Sequence, residues 1–173
     1  MPQNALVRRL DHVAIAVRDL AEAVPLFHDL LGGKLIAGGD DERQGLRTIQ
    51  LRYPPGIKIE LIQPLTPDTR LAAYLEKHGP GFHHMTGFVS DVEEAVGALE
   101  SRGFETVDTH TDSPYWRETY VRPSSGFGTL IQLASTELEW EEPVMPEGAT
   151  VEDVVAGRIV WTDAKPAWKE ETP

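Results

Sequence analysis

Four residues in this sequence have types and spacings that point to chemistry. His12 lies in LDHVAIAVRDL and His84 in FHHMTGFVSDV, 72 residues later. Glu60 lies in IKIELI and Gln132 in GTLIQLA, again 72 apart. Two imidazoles, one carboxylate and one amide oxygen suit a borderline divalent ion such as Zn, Co, Ni, Mn or Fe. Glu60 is the most telling of the four, because a carboxylate flanked by Ile59 and Leu61 is costly to bury unless it is paired or metal-bound. A lone histidine at a strand start is usually structural. Here two recur at matched positions, which is what separates them from His28, His78 and His110. His83 alternates to the other strand face from His84 and reads as a supporting or surface residue. The sequence contains neither CxxC nor HExxH, so the identity of the metal stays open.

The elements that must position these residues also repeat. After Asp19 comes LAEAVPLFHDLLGG, and after Asp91 comes VEEAVGALESRG. Both read as amphipathic helices opened by an aspartate cap and stopped by glycine. Leu20, Val24, Phe27 and Leu31 fall on one face of the first. Val92, Ala95, Val96 and Leu99 fall on one face of the second. Pro25 falls early in its helix, where a missing donor costs least. Strands are expected at about 34–38, 46–53 and 57–63, then at about 104–109, 117–122 and 128–134. His12 and His84 each start the strand that precedes a helix. The pattern is α+β, with two βαβββ modules at 9–66 and 82–135, each unable to bury its face alone. A linking helix at 67–81 has Asp68 as its cap, and an acidic extension occupies 136–173. In that extension Trp140, Trp161 and Trp168 imply apolar contact, while the final ten residues read equally well as a frayed tail. On its strand His12 shares a face with Ala14 and Ala16, small side chains that leave room for a cavity.

Composition narrows the partners. The 173 residues carry a formal charge of −12, with 28 acidic against 16 basic side chains. That balance repels nucleic acid and anionic membrane. With no cysteine there is no disulfide, thiol nucleophile or thiolate metal site. The start, MPQNALVRRLDH, lacks an apolar run after its arginines, and no stretch has the length of a membrane span. The expectation is a cytoplasmic protein acting on a small molecule.

LDHVAIAVRDL, RQGLRTIQL, IKIELIQPL, LEKHGPGFHHM and GTLIQLA resemble the vicinal oxygen chelate superfamily. Within it they are most similar to methylmalonyl-CoA epimerases, over about residues 9–134. The resemblance implies paired βαβββ modules forming a cupped mixed sheet around a central cavity, with a metal inside. It places the first-module histidine on His12, the first-module Glu/Gln ligand on Glu60 and the second-module histidine on His84. The fourth ligand position, usually Glu in the epimerases, is Gln132. The position of a second carboxylate base is Thr48, and the spacing of 72 pairs Thr48 with Tyr120. Both usual proton-transfer carboxylates are therefore replaced, and Glu60 or Glu118 is left to serve as base. Tyr120, Thr48 and Gln50 would line the site as hydrogen-bond donors. Arg47, Arg117 and Arg122 are candidates for a carboxylate, phosphate or CoA tail. The function expected is a divalent-metal-dependent isomerase, epimerase or lyase acting on an acyl-CoA or 2-oxo acid through an enolate-like intermediate. Two alternatives are a non-haem iron ring-cleaving dioxygenase using His12, His84 and Glu60, and a metal-free binder of small molecules. By analogy with such folds, a homodimer is expected.

Overall fold

The computed structural model describes residues 5–138 and 143–170. In chain order, β1 (Val7–Ala16), α1 (Leu20–Val24), β2 (Lys34–Asp41), β3 (Leu46–Tyr53) and β4 (Ile57–Pro64) come first. A linking helix α2 (Arg70–His78) follows. The order then repeats as β5 (Gly81–Val89), α3 (Val92–Glu100), β6 (Thr106–His110), β7 (Arg117–Val121) and β8 (Leu130–Ser135). The extension adds α4 (Val151–Val155), β9 (Ile159–Thr162) and β10 (Lys165–Trp168). The chain is thus an α+β protein, a mixed sheet flanked by helices with the βαβββ order occurring twice. Two compact units are present, and β1 passes from one to the other after Val13.

One unit contains the start of β1 and β5 to β8, in the order β1-β5-β8-β7-β6. β5 and β8 are parallel, while β8 with β7 and β7 with β6 are antiparallel. Val89, Val92, Ala95 and Leu133 form its core, with Leu6, Val7, Val96, Leu99 and Ile131 packed around them. Asp91 caps α3 by accepting from the Glu94 amide at 2.9 Å, which turns the chain sharply enough for Val92 and Ala95 to face β8.

The other unit has the order β10-β9-β2-β3-β4, with the end of β1 beside β4. Val17, Leu20, Val24, Ile49, Leu51 and Leu61 pack with Val151, Val154 and Ile159 of the extension. The extension is therefore core, and β9 adds to the sheet parallel to β2 through Asp40 and Val160. Residues 165–168 form a strand instead of a frayed end. Trp140 lies outside the described residues. Arg47 fastens the extension: it grips the buried Asp40 through Nε at 2.5 Å and Nη2 at 3.1 Å, and donates to the Val155 carbonyl at 2.6 Å. It is thereby committed to Asp40 and does not serve as an anion-binding arginine.

Several expectations change locally. Pro25 converts the second half of the first helix into a π-helical turn, Pro25–Leu30, because it supplies no amide hydrogen. The wider turn moves Leu31 off the buried face, leaving it 55% exposed. β2 runs on through Gly39 to Asp41 instead of ending at about Gly38. A Cβ on Gly38 would lie 2.7 Å from the Thr48 carbonyl and 3.2 Å from a Val154 methyl, so this glycine marks close packing and not a strand end. Thr69, not Asp68, caps α2 by accepting from the Ala72 amide at 3.1 Å. Asp68 is engaged by the Thr66 hydroxyl instead. His12 and His84 lie inside their strands and do not start them. Finally, the space expected beside Ala14 and Ala16 is filled, since both pack with Ile62 against Leu71 and Leu75 of α2.

Candidate metal and proton-transfer site

In the unit built on β5–β8, strand alternation brings His12, His84, Thr86, Gln132, Glu118 and Tyr120 into one polar network. His12 and His84 are each 6% exposed, and their rings meet edge to face with centroids 5.7 Å apart. The buried Asp11 carboxylate lies 2.9 Å from His12 Nδ1. A carboxylate only accepts, so Nδ1 carries its hydrogen toward Asp11 and Nε2 is the nitrogen suited to a metal. Arg9 in turn sits 3.4 Å from Asp11. His83 is half-buried and supports His84, with its Nδ1 2.9 Å from His84 Nδ1. Thr86 shares the strand face of His84 by alternation and stands opposite Gln132 in the β5–β8 ladder. Its hydroxyl lies 2.9 Å from His12 Nε2 and donates to Gln132 Oε1 at 2.5 Å.

Gln132 links this imidazole cluster to a carboxylate. Its Nε2 donates to Glu118 Oε2 at 2.7 Å and to the Tyr120 hydroxyl at 2.9 Å. The Trp116 indole donates to the same Glu118 oxygen at 2.9 Å, and Tyr120 approaches it at 3.3 Å. Glu118 is 1% exposed, so it is a buried acceptor and not a surface glutamate. Trp116 lies two residues before Glu118, which places it on the same strand face.

In the other unit, β3 and β4 carry Thr48, Gln50 and Glu60. Gln50 stands opposite Glu60 in the ladder and donates to its Oε1 at 3.0 Å. Thr48 accepts from the Trp161 indole of β9 at 2.9 Å. Ladder register also corrects the repeat. Gln50 faces Glu60, ten residues on, whereas Tyr120 faces Gln132, twelve residues on. The second turn is longer by two residues, so the counterpart of Gln50 is Tyr120 and that of Thr48 is Glu118. The carboxylate missing at Thr48 in the first module thus stands at the matching place in the second.

One set of buried side chains, the imidazoles of His12 and His84 in one unit and the carboxylate of Glu60 in the other, has metal-ligand chemistry. Its nitrogen and oxygen donors suit a divalent transition ion. Gln50, 3% exposed, steadies the Glu60 carboxylate from behind.

Comparison with known proteins agrees with this geometry. Residues 11–120 match the family model of the Glyoxalase/Bleomycin resistance protein/Dioxygenase superfamily. The ethylmalonyl-CoA/methylmalonyl-CoA epimerase of Cereibacter sphaeroides is 36% identical over 57% of this chain and 73% of its own length. The 2-epi-5-epi-valiolone epimerase of an Actinomyces species is 27% identical over 90% of this chain and 92% of its own. A match that long reaches past residue 135, into the extension, wherever it begins. The crystal structure of methylmalonyl-CoA epimerase from Mycobacterium tuberculosis superposes with a TM-score of 0.72 at 32% identity, covering 80% of this chain and 95% of that one. The chain belongs to the Glyoxalase/Bleomycin resistance protein/Dioxygenase superfamily, and within it stands close to the methylmalonyl-CoA epimerases.

Proposed function

We propose that this protein is a divalent-metal-dependent epimerase or isomerase that moves a proton at a carbon beside a carbonyl, as in an acyl-CoA or a 2-oxo acid. The observation that carries this reading is the buried imidazole pair of His12 and His84 beside the Gln132–Glu118 network, with Glu60 proposed as the third ligand. An ion held there would supply positive charge to the carbonyl oxygen as negative charge develops on it. Two relatives with different substrates are both named epimerases, which supports the reaction type more strongly than any one substrate.

Glu118 is the group that takes up the proton. It is a buried carboxylate with three donors on Oε2, so it is fixed in place before substrate arrives. Gln132 acts here as a positioning residue that orients Glu118 and Tyr120 by hydrogen bonds. Glu60 is the second carboxylate candidate for the opposite substrate face, and Thr48 and Tyr120 offer hydroxyls to substrate oxygens.

Proton–deuterium exchange of methylmalonyl-CoA, 2-oxo acids and hydroxyketones in heavy water, followed by NMR, tests the reading. Metal-loaded protein exchanges one of these, and Glu118→Gln slows exchange by about 10²–10⁴-fold with metal content unchanged. Absence of exchange across the panel overturns the reading. An iron protein that consumes oxygen and exchanges nothing would be a dioxygenase instead.

A further inference from the structure

The extension touches the β3 face at Thr48. Trp161 donates to Thr48 Oγ1 at 2.9 Å. Two residues along the same face, Gln50 is 3% exposed. Its Nε2 is committed to Glu60 at 3.0 Å, and since the carboxylate accepts, the amide orientation is fixed. Gln50 Oε1 is then a buried acceptor with no hydrogen-bond partner. Leaving such a group unsatisfied in a protein interior is unfavourable, so the oxygen awaits a donor. Thr48 completes the pattern. An indole N–H only donates, so the Thr48 hydroxyl keeps its own hydrogen to give elsewhere.

An acceptor and a donor two residues apart on one strand face recognise a molecule that carries both, and a hydroxyl is both. The malonyl end of an acyl-CoA has thioester and carboxylate oxygens, all of them acceptors, which gain nothing from Gln50 Oε1. We propose that Gln50 and Thr48, the latter held by Trp161, form a hydroxyl-binding subsite beside Glu60, and that the substrate is a polyhydroxylated ketone. This rests on the metal-assisted proton transfer proposed above and names its substrate class. Trp161 is a positioning residue that acts through Thr48, and its place on β9 gives the extension a role in specificity.

Calorimetric binding to cobalt-loaded protein separates the possibilities with two probes. Both 2-hydroxycyclohexanone and 2-keto-myo-inositol present a carbonyl next to a hydroxyl, but only the second has further hydroxyls. The native protein binds the inositol ketone about tenfold more tightly, the effect of one well-placed hydrogen bond. Gln50→Met brings the ratio of the two affinities down toward one, as does Thr48→Val, which serves if the first variant does not fold. Trp161→Phe keeps the ring, loses the N–H and weakens the inositol ketone more than 2-hydroxycyclohexanone. Equal binding of both probes by the native protein, binding of neither, or equal weakening of both by Gln50→Met overturns the subsite. Selective binding without proton exchange overturns the proposed reaction and leaves the subsite standing. Exchange on methylmalonyl-CoA without selective binding does the reverse.

Discussion

At the scale of single residues, the network around His12 and Glu118 is a set of fixed protonation and orientation choices. Asp11 holds the His12 ring by its Nδ1 hydrogen at 2.9 Å. Replacing it by Asn removes the charge that orients the ring, and metal affinity is expected to fall about 10–100-fold by calorimetric titration. Gln132 and Glu118 form an amide–carboxylate pair at 2.7 Å. A glutamate at 132 would set two buried carboxylates against each other, which gives a physical reason for glutamine there once Glu118 is present. Gln132→Glu is therefore expected to lower the thermal midpoint. One of the two carboxyls would bind a proton more tightly folded than unfolded, so the deficit grows as pH rises and shrinks toward acid. A deficit independent of pH would show that charge is not the cause.

At the scale of elements, short pieces are held by their caps. α4 has only five residues and relies on a capping box between Thr150 and Asp153. The Asp153 carboxyl lies below its usual range, chiefly through the Thr150 backbone amide, with further hydrogen bonds from the Thr150 hydroxyl and Arg158. A depressed carboxylate stabilises the fold at neutral pH, and that stability is lost as pH falls through the depressed value. Asp153→Asn should thus be less stable than the native protein at pH 7 and equal to it well below the usual carboxylate range, by thermal melts across pH. The π-helical turn is tied down differently, by the Tyr53 hydroxyl donating to the Phe27 carbonyl at 2.6 Å. Tyr53→Phe is expected to cost about 1 kcal/mol in denaturant unfolding.

At the scale of the whole molecule, the extension and the ion are the two largest levers. Ile159 of β9 is fully buried in the core with Ile49 and Leu51. Ile159→Ala is expected to cost about 2–5 kcal/mol, measured by denaturant unfolding; a near-neutral result would mean that β9 is dispensable. An ion that binds only the folded chain stabilises it by about 2.7 kcal/mol at a free concentration 100 times its Kd. Cobalt or zinc should therefore raise the thermal midpoint and a chelator reverse it, an effect that His84→Ala abolishes. No helix of the described residues is long and apolar enough to cross a membrane.

The sequence by itself determined the βαβββ repeat and the helix caps at Asp19 and Asp91. Each of these is written in local periodicity or in spacing that two similar half-chains share. It did not determine that Glu118 matches Thr48, because two extra residues in one turn shift the register, and register is set by strand pairing. Nor did it show Thr86 between His12 and Gln132, the indole of Trp161 on Thr48, or Arg47 spent on Asp40. Those contacts join residues as much as 113 positions apart. Only the packing of strands against one another brings such side chains within hydrogen-bond reach, so only the tertiary structure could decide which polar groups already have a partner and which oxygen still awaits one.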